Sequence, residues 1–160
     1  MDQPFLRIDG LVAEAQVLTR QQLEALPDSA QVLDVSRFEA KKQGDAVTLD
    51  SLLSLAGVLP EANYMTLHAG RDDFHVSVPL DAVRAEGLLI YKIGNDDLAV
   101  SQGGPFRFLI RDFAACHSSE LDDCANVKFL DRIELTQRKG LDTRPLTDAE
   151  HEALHARQNS

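Results

Sequence analysis

The sequence predicts an α+β domain in which short strands outnumber short helices. Three observations lead there: several short segments alternate apolar and polar residues, two helical segments carry recognisable caps, and strands and helices mix without regular strand–helix–strand spacing. Taken in order, "PFLRIDG" alternates and ends in Asp-Gly, which predicts a strand running into a turn. "LTRQQLEALPD" predicts a helix, with Thr19 as N-cap, Gln22 completing a capping box, Leu23 and Leu26 on the apolar face and Pro27 as the stop. "AQVLDVS" predicts a strand over residues 30–36, after which the chain loosens through a lysine-rich stretch. Thr48 then caps a helix that buries Leu49, Leu52, Leu53 and Leu55 and closes at Gly57 and Pro60.

"NYMTLHAG" and "DFHVSVPL" predict a hairpin about the "GRDD" turn, and "LDAVRAEG" a short helix. "LLIYKIGNDDL" predicts a strand broken by a Gly-Asn turn. In "GGPFRFLIRD", Phe106, Phe108 and Ile110 alternate against Arg107, Leu109 and Arg111, which predicts a strand with one buried face. "VKFLDRIELTQR" predicts the last strand, ending near Gln137. Residues 1–141 are expected to form one domain and residues 142–160 a tail, in which Thr147 and Glu150 cap a short, polar, exposed helix.

Composition excludes several classes of function. Acidic residues number 26 against 16 basic ones, a net charge of −10, which argues against a nucleic-acid surface built on clustered Lys and Arg. The densest basic run, "AKKQG", is too short to reverse that. No stretch approaches the roughly 20 apolar residues of a membrane span. "MDQPFLRIDG" has neither a basic n-region nor an apolar h-region, so the expected location is the cytoplasm. Two cysteines are too few for a disulfide-built scaffold.

Several motifs invite chemistry. His151, Glu152 and His155 fit the HExxH pattern, in which histidines four apart share a helix face and the glutamate acts on a zinc-bound water. Only "ARQNS" follows, so no third ligand stands downstream, and the reading is an exposed helix with a chance match. Cys116, His117, Glu120, Asp122 and Cys124 gather ligand types in one loop, yet the cysteines are eight apart with no second pair, against the usual zinc spacing. Two ordinary thiols, a reversible dithiol switch or a metal site are the readings of that loop. His68 and His75 lie on the predicted hairpin, with nothing in the sequence placing a nucleophile or carboxylate beside them. Asp34 ends the predicted strand "AQVLD", the corner at which such domains keep functional side chains, and also a place where aspartate caps a turn by bonding its own backbone.

In this order, "LRIDGLV", "AVTLDSLLSLAG", "FHVSVPLDAV", "LLIYKIGNDDLAVSQGGPFRFLIRD" and "VKFLDRIEL" resemble the molybdopterin-binding domain of the sulfite oxidase family, from about Phe5 to Leu141. The resemblance implies a mixed-sheet fold with short helices. It implies that the family's molybdenum-ligating cysteine falls on Asp34 and the aromatic residue four positions on falls on Phe38. The histidine before the family's Gly-x-Pro falls on Gln102; Gly103, Pro105 and Arg107 match "HGxPxR", and Lys128 matches the lysine of "VKWL". By the same resemblance Asp34, Gln102, Gly103, Arg107 and Lys128 line the cofactor site, Arg107 and Lys128 hold the anionic pyranopterin, and Asp34 is expected as an oxygen ligand or near neighbour of the metal. A planar, always-charged arginine suits a phosphate by bidentate donation, and a lysine serves as a point charge.

The departures sit at one place. A carboxylate replaces a thiolate at Asp34, an amide replaces an imidazole at Gln102, and only "MDQP" precedes Phe5. Carboxylate is a harder ligand than thiolate and shifts the balance of metals it favours. Two functions are therefore expected. One is a molybdopterin-dependent oxidoreductase-like protein with a degenerate molybdenum site, transferring oxygen to or from a small oxyanion or sulfoxide. The alternative is a non-catalytic module that keeps the fold, has lost the cofactor, and binds a smaller anion or docks on a redox partner through the Cys116–Cys124 loop. The expected oligomeric state is a monomer.

Overall fold

In the computed structural model, residues 4–38, 42–111 and 126–143 are described. Two five-stranded sheets form the domain. The first runs β2 (Gln16–Thr19), β1 (Phe5–Gly10), β10 (Arg132–Thr136), β5 (Tyr64–Ala69) and β6 (Phe74–Pro79), with β1 and β10 parallel and the other pairs antiparallel. The second joins β3 (Gln31–Val32), β4 (Asp45–Thr48), β7 (Gly87–Ile93), β8 (Asp96–Asp97) and β9 (Arg107–Ile110), all antiparallel. Three helices, α1 (Arg20–Glu24), α2 (Leu49–Ala56) and α3 (Leu80–Val83), accompany them among the described residues. This is the α+β architecture expected from the sequence, and no helix among the described residues is long and apolar enough to cross a membrane.

The inner faces of the two sheets share one core. Leu6, Ile8, Met65, Leu67, Val76 and Ile133 meet Leu89, Tyr91 and Phe108, and the apolar faces of α1 and α2 close the sides through Leu23, Leu49, Leu52 and Leu53. A second, smaller core lies on the far face of the second sheet: Ala46, Leu88, Ile90 and Leu109, with Val35 and Leu98 laid over them. Strand β7 is therefore buried on both faces, which is why "GLLI" reads as an unbroken apolar run rather than an alternation. Burying one such Leu or Ile stabilises by about 1.5–3 kcal/mol, so this central strand anchors the second sheet.

Both helix starts follow their sequence signals. Thr19 and Gln22 form a reciprocal capping box, and the Ser51 amide donates to Thr48 Oγ1 at 3.3 Å. Two strands were not foreseen. β2 and β4 are only four residues each, and each ends on the threonine that caps the next helix, so the cap signal masks the strand signal. The strand expected over residues 30–36 contracts to Gln31–Val32, because Asp34 takes a left-handed conformation (φ 58°, ψ 81°) and a 3-10 turn follows at Val35–Arg37. The last strand likewise begins at Arg132 rather than near Val127.

Strands β8 and β9 both pair with β7, β8 opposite Lys92–Ile93 and β9 opposite Gly87–Ile90. They are two pieces of one return strand, and residues 98–106 leave the sheet between them and come back. The outer edge of β6 is covered by the segment after β10. Thr143 donates its amide to the His75 carbonyl at 2.8 Å, the His75 amide donates to Thr143 Oγ1 at 2.9 Å, and Asp142 Oδ2 accepts from the Ser77 amide at 3.2 Å. Pairing of this kind protects an edge strand.

Candidate functional site

The excursion between β8 and β9 builds the centre of the site. Its 3-10 turn, Val100–Gln102, ends on Gly103, which has a left-handed φ of 87°. The Gly104 amide donates to the Ala99 carbonyl at 2.9 Å, which closes the base of the loop. Segment 127–130 is then stitched to it: the Phe129 amide donates to the Gly103 carbonyl at 2.7 Å, the Leu130 amide to the Phe106 carbonyl at 2.8 Å, and the Phe108 amide to the Val127 carbonyl at 2.9 Å. These bonds bring Lys128 beside Gly103. A methyl group on Gly103 would lie 3.1 Å from Arg107 Cδ, 3.1 Å from Lys128 Cγ and 3.3 Å from Arg107 Nη1. The side chains of Arg107 and Lys128 thus pack against one glycine, so closely that even a methyl group there would crowd both.

Arg107 is unusual in its wiring. Nη1 donates to the Gln102 carbonyl at 3.2 Å, while Nε is buried with no acceptor among the described residues. Burial pushes the pKa of its guanidinium down, yet an arginine stays charged in proteins. Neither Arg107 nor Lys128 takes part in an ion pair among the described residues, whereas Arg20, Arg84, Arg111 and Arg132 all meet carboxylates. A buried donor without an acceptor costs about 1–3 kcal/mol, more when charged. In a chain of net charge −10, two cationic side chains packed against one glycine with no ion-pair partner among the described residues suit an anion.

The Asp34 corner lies at the same end of the second sheet. Val32, Ala46, Ile90 and Arg107 face one another in register across β3, β4, β7 and β9, a row spanning about 14 Å at the usual strand spacing. Continuing past Val32 leads to Asp34, and the same direction on β9 leads back from Arg107 towards Gly103. Val35 next to Asp34 is buried in the cluster that holds Leu98 and Leu109, so the corner and the loop rest on one face. The Asp34 carboxylate itself is turned inward on its own chain. Oδ1 accepts from the Ser36 amide at 3.2 Å and from Ser36 Oγ in a short contact, while the Asp34 amide donates to Asp45 Oδ1 at 2.9 Å. It is the cap of a turn. The guanidinium carbons of Arg37 and Arg111 lie 5.2 Å and 5.6 Å from the ring centroid of Phe38, which is 39% exposed.

Gln102, Gly103, Arg107 and Lys128 therefore come together, and Asp34 stands across the sheet from them. Pro105 follows Gly104 through a cis peptide bond. Two features escaped the sequence reading: the orphaned Arg107 Nε and the guanidiniums flanking Phe38. Cys116, His117, Glu120, Asp122 and Cys124 lie outside the described residues, as do His151, Glu152 and His155. Among the described residues no group of three His, Cys, Asp or Glu side chains is placed to hold a metal ion.

The profile of the oxidoreductase molybdopterin-binding domain matches residues 2–143. The chain belongs to that family. No curated protein matches it. Among solved structures it is similar to the crystal structure of the sulfane dehydrogenase SoxCD from Paracoccus pantotrophus, with a TM-score of 0.58 and 20% identity over 85% of this chain. The match covers 39% of that chain, so this domain spans about two fifths of its length, and the likeness is one of fold.

The family's cofactor can be tested against these side chains. Its anionic pterin end fits Arg107 and Lys128, since an oxygen beside them would give the buried Arg107 Nε the acceptor it lacks among the described residues. The metal end fits poorly. The one protein ligand expected there is an exposed carboxylate already engaged by Ser36, a hard oxygen donor where a soft sulfur is the family's choice.

Proposed function

We propose that this molybdopterin-binding-family domain holds the anionic end of a pterin cofactor with Arg107, Lys128 and the Gly103 turn, Gln102 bordering the site, and that its metal corner at Asp34 is degenerate. The observation that carries this is that Arg107 and Lys128, neither ion-paired among the described residues, pack against the same glycine, and that Arg107 Nε is a buried donor to spare. When bound with its metal, the cofactor supplies oxygen-atom transfer with a small oxyanion or sulfoxide, drawing on a redox partner protein. This chain's part is to bind, orient and neutralise. Arg107 fixes direction through its planar fork, Lys128 adds charge, and Gly103 lets both side chains pack close to the turn.

The test is to purify the protein from a host competent in cofactor synthesis and to measure molybdenum by elemental analysis and released pterin by fluorescence. Pterin is expected in the parent and lost in Arg107→Met and Lys128→Met. A parent carrying no pterin from such a host would overturn the proposal.

The second reading is a non-catalytic module that binds a smaller anion in the same cleft. It is favoured by the engagement of the Asp34 carboxylate by Ser36. Asp34→Cys separates the two: molybdenum gained by the variant alone marks a decayed metal site on an intact pterin cradle. A variant that stays empty and a parent that binds inorganic phosphate favour the module.

A further inference from the structure

Strands β5 and β6 are joined by a 3-10 turn, Gly70–Asp72, and two contacts tie that turn to the segment carrying Lys128. The Gly70 amide donates to Asp131 Oδ2 at 2.9 Å, and the guanidinium carbon of Arg71 stands 4.5 Å from the ring centroid of Phe129. The Asp131 amide in turn donates to the His68 carbonyl at 2.9 Å, so the segment is fixed to β5 just past Phe129.

Phe129 joins this turn to the site. Its amide donates to the Gly103 carbonyl at 2.7 Å, and its backbone is left-handed, with φ of 57°. The other non-glycine residues with positive φ among the described residues are Asp34 and Asp73, and aspartate tolerates that region. A bulky aromatic residue does not, and backbone strain of this kind collects at ligand clamps and active sites. One strained residue therefore meets the Gly103 turn with its main chain and carries Arg71 on its side chain.

Arg71 has carboxylates within easy reach and uses none of them. Asp72 and Asp73 adjoin it in sequence and Asp131 holds the preceding amide, yet Arg71 forms no ion pair and donates no hydrogen bond among the described residues. A guanidinium over an aromatic ring keeps its N–H donors, which lie in its own plane. The residue is exposed, so those donors are accessible. Covalent lengths from the Gly103 carbonyl, through the Phe129 amide and side chain, put the guanidinium no more than about 13 Å from that carbonyl. A pterin with its phosphate-bearing arm bridges such a span.

On the reading that Arg107 and Lys128 hold the anionic end of a pterin, we propose that Arg71 is a third binding residue of the same site, donating to the carbonyl edge of the pterin ring. Arg107 and Lys128 already supply what one phosphate needs, a fork and a point charge. Arg71 is reached through the whole side chain of Phe129, which sets it beside the next part of the ligand. A pterin carries a ring carbonyl flanked by nitrogens, as guanine does, and an arginine on the carbonyl edge of guanine is the commonest specific contact in nucleic-acid recognition. Phe129 is the platform: it holds the guanidinium in place before the ligand arrives and so reduces the ordering cost of binding.

The experiment separates the two ends of the ligand with two probes. Inorganic phosphate is titrated by calorimetry into protein made in a host without cofactor synthesis. Pterin is followed by fluorescence as it leaves protein purified from a host competent in that synthesis. Arg71→Met removes the donors and keeps an unbranched side chain on the ring. Arg138→Met removes the same charge from an exposed position beyond the end of β10 remote from the Gly70 turn. Arg71→Met is expected to release pterin about tenfold faster than the parent, as for one lost hydrogen bond from a charged group, and to bind phosphate within about twofold of it. The retained phosphate affinity also reports an intact fold, and Arg138→Met should match the parent with both probes. A parental release rate in Arg71→Met overturns the proposal, and so does an equal loss of phosphate and pterin, which would put Arg71 at the anionic end. A parent that binds phosphate but carries no pterin overturns it and leaves the anion site standing. A parent that binds neither overturns the anion site as well.

Discussion

Gly103→Ala perturbs the basic site with a single methyl group, and Gly94→Ala provides its control. Both glycines have left-handed backbones, with φ of 87° at Gly103 and 60° at Gly94. Both substitutions therefore incur the backbone penalty of about 1–2 kcal/mol. They differ in surroundings. A methyl on Gly94 meets nothing within 4 Å, whereas one on Gly103 stands 3.1 Å from Arg107 Cδ and from Lys128 Cγ. Those contacts are tight by a few tenths of an ångström, so both long side chains must shift from their places against Gly103. Gly94→Ala should lower Tm by about 2–8 °C for a domain of this size and leave anion binding unchanged. Gly103→Ala should show a similar loss of stability and, in addition, weaken inorganic phosphate binding at low ionic strength about tenfold, the factor for about 1.4 kcal/mol. Calorimetric titration and thermal unfolding of the three proteins read both quantities. Equal phosphate affinity in the parent and Gly103→Ala would refute the assignment of this cleft as the anion site.

Arg107→Met should abolish anion and pterin binding while leaving stability unchanged or raising it by about 1–3 kcal/mol, because a buried charged donor without an acceptor is removed; denaturant unfolding measures this, and a large destabilisation would contradict it. Tyr91 is 1% exposed, and burial, helped by the negative charges of Glu24 and Asp45, pushes its pKa up to about 12. Its folded-state value lies above the unfolded value of about 10, so the contribution is complete below pH 10 and about 2–3 kcal/mol is lost as pH rises from 10 to 12. Tyr91→Phe should lack that alkaline slope in unfolding curves, at the cost of about 1 kcal/mol at neutral pH from the lost bond to Gln31 Oε1. Asp34→Asn should fold with little change, since asparagine tolerates the left-handed region and caps the turn equally well, whereas Asp34→Ala should lose about 1–2 kcal/mol in the same measurement.

Local chemistry explains what could be read from the residues. Thr19 with Gln22, and Thr48 ahead of a leucine stripe, fix two helix starts by interactions within four residues, and the folded chain keeps both. The hairpin about "GRDD" and the broken strand at Gly94-Asn95 are equally local. Strands β2 and β4 were hidden because Thr19 and Thr48 serve as strand end and helix cap at once. The site divides the same way. Arg107 and Lys128 were found through the order of weak motifs, but their meeting at Gly103 depends on segment 127–130 bonding to the loop, a pairing about 25 residues apart that no local pattern encodes. The contacts that join Asp73 to His75, His75 to His68 and His68 to Glu134 were out of reach for the same reason, since Glu134 arrives from β10.

The broken return strand has a consequence for how this site could be rebuilt. Residues 98–106 begin and end on β7, whose pairing with β8 and with β9 is set independently on either side of the break. The closing bond from Gly104 to Ala99 ties off the base and segment 127–130 holds Gly103 and Phe106, so the exposed side chains of Val100 and Ser101 stand clear of the bonds that fix the loop. Val100 and Ser101 are therefore the exchangeable part: their side chains are free to change ligand preference while the Gln102 carbonyl keeps its bond from Arg107 Nη1.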